Sequence, residues 1–295
     1  MKPGVITDGI SRNPERAFAV MNEFGLEHAE LQYIDDREVG DLNDAQTARL
    51  QDLLQAHGLK VSCISRHIFA GLALGDLERD SPVYRQQLED LRRCIDFAQA
   101  LDCPLVRVMS FRKEMILFGA MGAEQWVVTR GAWDKLLQLM APALEIAEER
   151  DATLALENGN NAMISSAWLG RKLIEELGTT RLKLLWDPGN GLYCNERAWP
   201  DGYAALQGRA GSLPAHVHMK DVVVNIPRAR VDCVPFGHGD IGPRLATIAA
   251  ALRRDGYEGV VSLESVYCPP GGTFEDGFRA SVGRFLEWYG PVRQA

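Results

Sequence analysis

Two hydrophobic periods alternate along this chain. Short apolar runs of strand length occur at Gly4–Thr7, Ala29–Ile34, Leu59–Ser65, Leu105–Ser110, Ala152–Glu157, Leu182–Asp187, Pro214–His218 and Gly259–Glu264. Between them lie segments whose apolar positions return every three or four residues. In Val83–Leu101, Leu88, Leu91, Ile95 and Ala98 fall on one face and Arg92, Arg93 and Asp96 elsewhere, the period of an amphipathic helix. Pro14–Phe24, Asp44–His57, Gln125–Arg150, Ser166–Leu177, Ile241–Arg254 and Phe274–Tyr289 read the same way, and Asp201–Gly208 is shorter and weakly patterned. Gly25, Gly58, Gly178 and Gly256 follow helical runs as C-terminal caps do, and Asn43 and Thr273 are set to cap N-termini.

Eight strand–helix units of right-handed connectivity close most simply into a single (β/α)8 TIM barrel with its active site at the C-terminal ends of the strands. An open doubly wound sheet is the alternative, but no Gly-x-Gly-x-x-Gly follows the first strand. No linker, repeat or low-complexity stretch divides residues 1–295, so one domain is expected.

Charge enters at the strand ends. The last four strand-like runs finish on Glu157, Asp187, His218 and Glu264. In a barrel these side chains converge, and three carboxylates beside an imidazole repel one another unless a cation joins them, which implies a bound divalent metal. A hydrophobic content of 46% and a charged content of 24% fit a globular core, and the net charge of −8 argues against a nucleic-acid partner. No apolar run is long enough to span a membrane, no secretory leader is evident, and the six cysteines are scattered without a Cys-x-x-Cys pair. A cytoplasmic location with reduced thiols is expected.

Other residues have a site reading and a structural one. Lys220 shares a strand face with His218, and either stabilises negative charge on a substrate or pairs with a neighbouring acid. His216 is expected to support the barrel or orient a ligand. Arg107, mid-strand, needs a partner if it faces inward, and Glu30 is the natural candidate. His67, just past the third strand, is a substrate-contact candidate, Asn158 an outer support for the ligands, and Gly271-Gly272-Thr273 a weak anion cradle. Phe111–Gly122, which carries Arg112 as a further substrate-contact candidate, is too apolar for a solvated loop. It is expected to cover the mouth or, preferably, to dock on a second subunit in a dimer or tetramer. The loop Asp221–Pro235 offers Arg228 and Arg230 to an anionic group.

The strings Ala155-Leu156-Glu157-Asn158, Trp186-Asp187-Pro188-Gly189-Asn190, His216-Val217-His218-Met219-Lys220-Asp221, Gly237-His238-Gly239-Asp240-Ile241 and Ser262-Leu263-Glu264 resemble the xylose isomerase-like TIM-barrel superfamily, in its sugar phosphate isomerase/epimerase branch. The resemblance implies one divalent ion, with Mn2+ leading and Mg2+, Co2+ or Zn2+ as alternatives, held by Glu157, Asp187, His218 and Glu264. It further implies that Glu157 and Glu264 act as an acid/base pair on the carbon alpha to a carbonyl, in a small carbohydrate substrate. Asn190 and His238 stand where many relatives carry a substrate-contacting histidine and a glutamate, and Val222-Val223-Val224 stands where an arginine contacts sugar. These departures put ketohexose epimerisation in doubt. Lyases or dehydratases acting on keto-sugars or keto-inositols are the alternative on this scaffold. A DNA-repair endonuclease of the endonuclease IV type is remote, because Ser110 and Asn190 stand where its further histidines belong.

Overall fold

The protein, seen in a computed structural model, is described over residues 1–113, 131–207 and 213–291. Most of the Phe111–Gly122 segment, the start of the Gln125–Arg150 helix and Gly208 lie outside the described residues.

Eight strands form a closed, all-parallel barrel: β1 Lys2–Ile6, β2 His28–Leu31, β3 Lys60–Ile64, β4 Val106–Val108, β5 Leu154–Glu157, β6 Leu182–Trp186, β7 His216–Met219 and β8 Val260–Leu263. Neighbours in sequence are neighbours in the barrel, and β1 closes it by pairing with β8. Each strand falls within or close to its expected run. The excess belongs to the loops, where Tyr33–Ile34 pairs with Arg37–Glu38 in a small hairpin of its own.

Helices fill the connections: α1 Pro14–Glu23, α2 Asp44–His57, α3 Pro82–Ala100, α4 Ala132–Glu149, α5 Ala167–Leu177, α6 Tyr203–Leu206, α7 Leu245–Arg254 and α8 Phe274–Tyr289. Their starts and stops follow from local chemistry. Asn43 and Thr273 make reciprocal capping boxes with Gln46 and Asp276, and Gly58 and Gly178 end α2 and α5 in the left-handed conformation. Asp276 takes both the N–H and the hydroxyl proton of Thr273, so a carboxylate already occupies the turn proposed as an anion cradle. The sixth unit, weakest in sequence, is broken into short helical turns, Pro188–Gly191 and α6 among them.

The main core lies between the barrel and the helices, around Phe18, Trp186, Phe278 and Phe285. Inside the barrel, Cys63, Leu105, Ala155 and Leu185 form a small apolar plug. Strand side chains alternate, so the inward residues two positions on are Ser65, Arg107, Glu157 and Asp187. The barrel interior therefore changes from apolar to charged within one layer, toward the C-terminal end.

The segment expected as a loop after β7 is an antiparallel hairpin, Asp221–Asn225 with Arg230–Val234. Asp221 anchors it: its buried carboxylate accepts N–H groups from Gly237, Gly239 and Ile241 at 2.8–3.1 Å. A Cβ on Gly239 would come within 2.3 Å of that carboxylate, so only glycine allows the approach. Arg230 pairs with Asp232 of its own hairpin.

Candidate metal centre

Four strands deliver the four side chains singled out at their ends. Donor atoms of Glu157, Asp187, His218 and Glu264 lie within 4.8 Å of one another. The first three are buried, and the Glu264 side chain keeps 18% of its exposure. His218 Nδ1 is buried without a hydrogen bond, 3.6 Å from Glu157 Oε1 and 3.9 Å from Glu264 Oε2. A buried polar atom facing two carboxylates without a partner is costly unless a cation completes it. Three carboxylates and one imidazole are donors suited to Mn2+, Mg2+, Co2+ or Zn2+, so the residues fit a divalent ion.

The carboxylates are not equivalent. Arg107 Nη1 donates to Glu157 Oε2 at 2.9 Å, and Asn190 Nδ2 donates to Glu157 Oε1 at 3.0 Å. Burial would raise the pKa of Glu157, but the Arg107 charge, with His218 and Lys220, overrides it and holds the carboxyl well below the usual range. Asp187 moves the other way: burial, with Glu264 and Glu157 close by, raises it against the pull of Lys220. Lys220 Nζ bridges Asp187 Oδ2 and Glu264 Oε2, both at 2.6 Å. Those two acids outweigh burial and raise the lysine above its ordinary value. Lys220 can lie there because residue 189 is glycine; a Cβ would meet Lys220 Cγ at 2.7 Å.

Arg107 does not pair with Glu30 as expected. It reaches Glu157, Gln32 and the Ser65 carbonyl, while Glu30 turns to His216 and His218. Both residues face inward, but Arg107 lies one layer nearer the mouth, beside the site's carboxylates. The Glu30–His216–His218 contact was missed in sequence. Its only signal is an acid inside the apolar run of β2 and a histidine two positions before His218.

The remaining candidates lie in the loops that follow β3, β4, β5 and β7. Asn158 exchanges two hydrogen bonds with the Asp187 backbone, at 2.7 and 2.8 Å, and so sets where that strand ends. His67 is half-buried and pairs through Nδ1 with Glu38 Oε1 at 2.8 Å. Burial opposes ionisation of Glu38, but hydrogen bonds from His67 and the charge of Arg66 lower it to about 2. Arg112 is half-buried and bridges Ala73 and Ala162 through its backbone. His238 is exposed on the turn tied down by Asp221. At the opposite end of the barrel a cavity of about 670 Å³ opens, lined by Lys2, His28, Lys60, Ser62 and His216 among others. The converging carboxylates are at the other end.

No helix among the described residues is long and apolar enough to cross a membrane. A family model described as xylose isomerase-like TIM barrel matches residues 18–284. No curated protein matches the sequence. Among solved structures, the chain is similar to a D-psicose 3-epimerase determined in the presence of D-fructose, with a TM-score of 0.70 and 17% identity over 99% of this chain and 100% of that one. It is similar to the IOLI protein with a binding zinc atom, at a TM-score of 0.70 and 17% identity over 98% of each chain. It is also similar to the probable 3-DHS dehydratase AsbF of Bacillus anthracis, at a TM-score of 0.66 and 15% identity over 95% of this chain and 98% of that one. These structural likenesses establish the fold, and the family match over most of the length goes further: the chain belongs to the xylose isomerase-like TIM-barrel family.

Proposed function

We propose that this protein is a divalent-metal-dependent isomerase or epimerase of a small carbohydrate, holding one ion through Glu157, Asp187, His218 and Glu264. The observation that carries the reading is the convergence of these donors around a buried His218 Nδ1 that has no hydrogen bond. When bound, the ion supplies Lewis acidity toward a carbonyl oxygen, which makes the adjacent C–H more acidic.

The chain's own residues then divide the work. Glu264, the more exposed of the two glutamates, takes the proton from carbon. Glu157, fixed by Arg107 and Asn190, faces the substrate from the other side and completes the acid/base pair. Lys220 presents a permanent cation to negative charge developing on the substrate. Asn190 offers an amide where a histidine would shuttle protons, so it orients rather than titrates. The native ion is read as Mn2+ first, and the protein as a cytoplasmic homo-oligomer.

One observation favours a second reading, a lyase or dehydratase. The Lys220 ammonium lies among the ligands, 2.6 Å from each of two carboxylates, where it can donate a hydrogen bond to a departing hydroxyl and offset the charge that develops on it. Incubating the Mn2+-loaded protein in D2O with ketoses, ketose phosphates and keto-inositols tests both. The expected result is solvent deuterium at the carbon alpha to the carbonyl of one substrate class, with one ion per chain by elemental analysis. Release of stoichiometric water makes the enzyme a dehydratase. No exchange across the panel by the loaded protein sinks both readings.

A further inference from the structure

Beneath the four candidate ligands lies a polar layer that the proposed chemistry does not use. Glu30, on β2, is fully buried. Its Oε1 lies 2.8 Å from His218 Nε2 and its Oε2 lies 2.8 Å from His216 Nε2. The Ser65 hydroxyl also donates to Oε1, and the Ser262 hydroxyl lies 3.0 Å from His216 Nε2. An ionised carboxylate only accepts hydrogen bonds, so both imidazoles must present Nε2–H to it. The nitrogen of His218 that remains is Nδ1, the one turned toward Glu157 and Glu264.

We propose that Glu30 is the positioning residue of the metal centre. By holding Nε2–H of His218 it fixes the ring's orientation and commits Nδ1 to the ion, as outer carboxylates do for metal-bound histidines. His216 and Ser65 keep Glu30 aligned in turn, which gives the sequence His-x-His two functions: the second histidine for the ion, the first for the carboxylate behind it. The inference rests on the metal-centre reading.

Glu30, His216 and His218 also bring three donor atoms within 4.8 Å of one another, so a second ion is the rival explanation. Two ions on one His218 ring would require it to lose both ring protons, whereas the hydrogen-bonded arrangement leaves Nε2–H in place.

Binding of Mn2+ and Zn2+, measured by chelator competition on the full chain, separates these cases. Glu30→Leu should weaken affinity on the order of 10–100-fold. Glu30→Gln, which keeps an acceptor oxygen for His218, should recover most of that loss. Long-range 15N spectra of the zinc-loaded wild type should give a His218 with metal-bound Nδ1 and protonated Nε2, a pattern that a purely structural role for Glu30 does not require. The wild-type spectrum needs no variant, so it decides the case if Glu30→Leu fails to fold. Metal on Nε2, two ions per chain, or equal affinity in wild type and Glu30→Leu overturns the inference alone. A wild type that takes up no ion overturns the metal-centre reading and the inference with it.

Discussion

The two walls of the barrel mouth satisfy the same kind of charge in different ways. On the β4–β5 wall, Glu157 has both oxygens hydrogen-bonded, one to Arg107 and one to Asn190, and all three residues are buried. On the β6–β8 wall, Asp187 and Glu264 share one ammonium, Lys220, and the Glu264 side chain is partly open to solvent. A guanidinium in a bidentate or multiply bonded setting stays put, while a lysine is a point charge on a flexible stem. The first wall is a fixed clamp. The second carries a cation on a flexible stem, which the proposed binding of a divalent ion to Asp187 and Glu264 would displace.

The largest effect expected from this difference is on turnover. Glu157→Gln and Glu264→Gln should each lower kcat by roughly 10²- to 10⁴-fold, the usual loss for a general acid or base. The contrast lies in exchange of the substrate's alpha proton at saturating metal: Glu264→Gln should abolish it, while Glu157→Gln should leave a residue of exchange. Equal exchange in both variants at the wild-type rate would remove the acid/base assignment from both.

Next in size is stability. Arg107→Leu leaves the buried Glu157 carboxylate without its only direct cationic hydrogen-bond donor among the described residues and should destabilise the fold by about 3–5 kcal/mol in chemical denaturation. Replacing Arg107 and Glu157 together with leucines should recover most of that loss, because the penalty lies in the unpaired charge. Loss of less than about 1 kcal/mol in the single variant, the level of a surface pair, would mean that the clamp does not hold Glu157.

The smallest effect should come from the other wall. Lys220→Met keeps most of the side chain's length and removes the ammonium that competes for Asp187 and Glu264. Mn2+ affinity by calorimetry should rise about 10-fold, equivalent to about 1.4 kcal/mol, while the metal-free chain melts earlier. Weaker binding would mean that Lys220 orients the carboxylates for the ion instead of competing with it.

Much of the barrel was legible in sequence because period and punctuation are local. Leu88, Leu91, Ile95 and Ala98 mark one helix face without reference to any other element, and Asn43 and Gly58 mark both ends of α2. The convergence of Glu157, Asp187, His218 and Glu264 was also legible, since equivalent positions on successive parallel strands must meet at one end. The pairing of Arg107 was not. Glu30 and Glu157 are both inward acids within reach of a mid-strand arginine in principle, and sequence order does not say which layer each occupies. The hairpin Asp221–Val234 was read as a loop, because the carboxylate that gathers three N–H groups beneath it acts across 16 to 20 residues.

The sequence by itself determined the eight units, their order, and which acids and histidine end the last four strands. Side-chain periodicity and capping depend on near neighbours, and parallel closure then leaves little freedom in where strand ends go. Only the tertiary structure decided how the buried charges pair: Arg107 with Glu157, Lys220 between Asp187 and Glu264, Glu30 beneath His216 and His218. Such pairing is set by barrel stagger and by differences of one layer, about 3.3 Å per residue along a strand, against a desolvation penalty that allows no charge to remain alone.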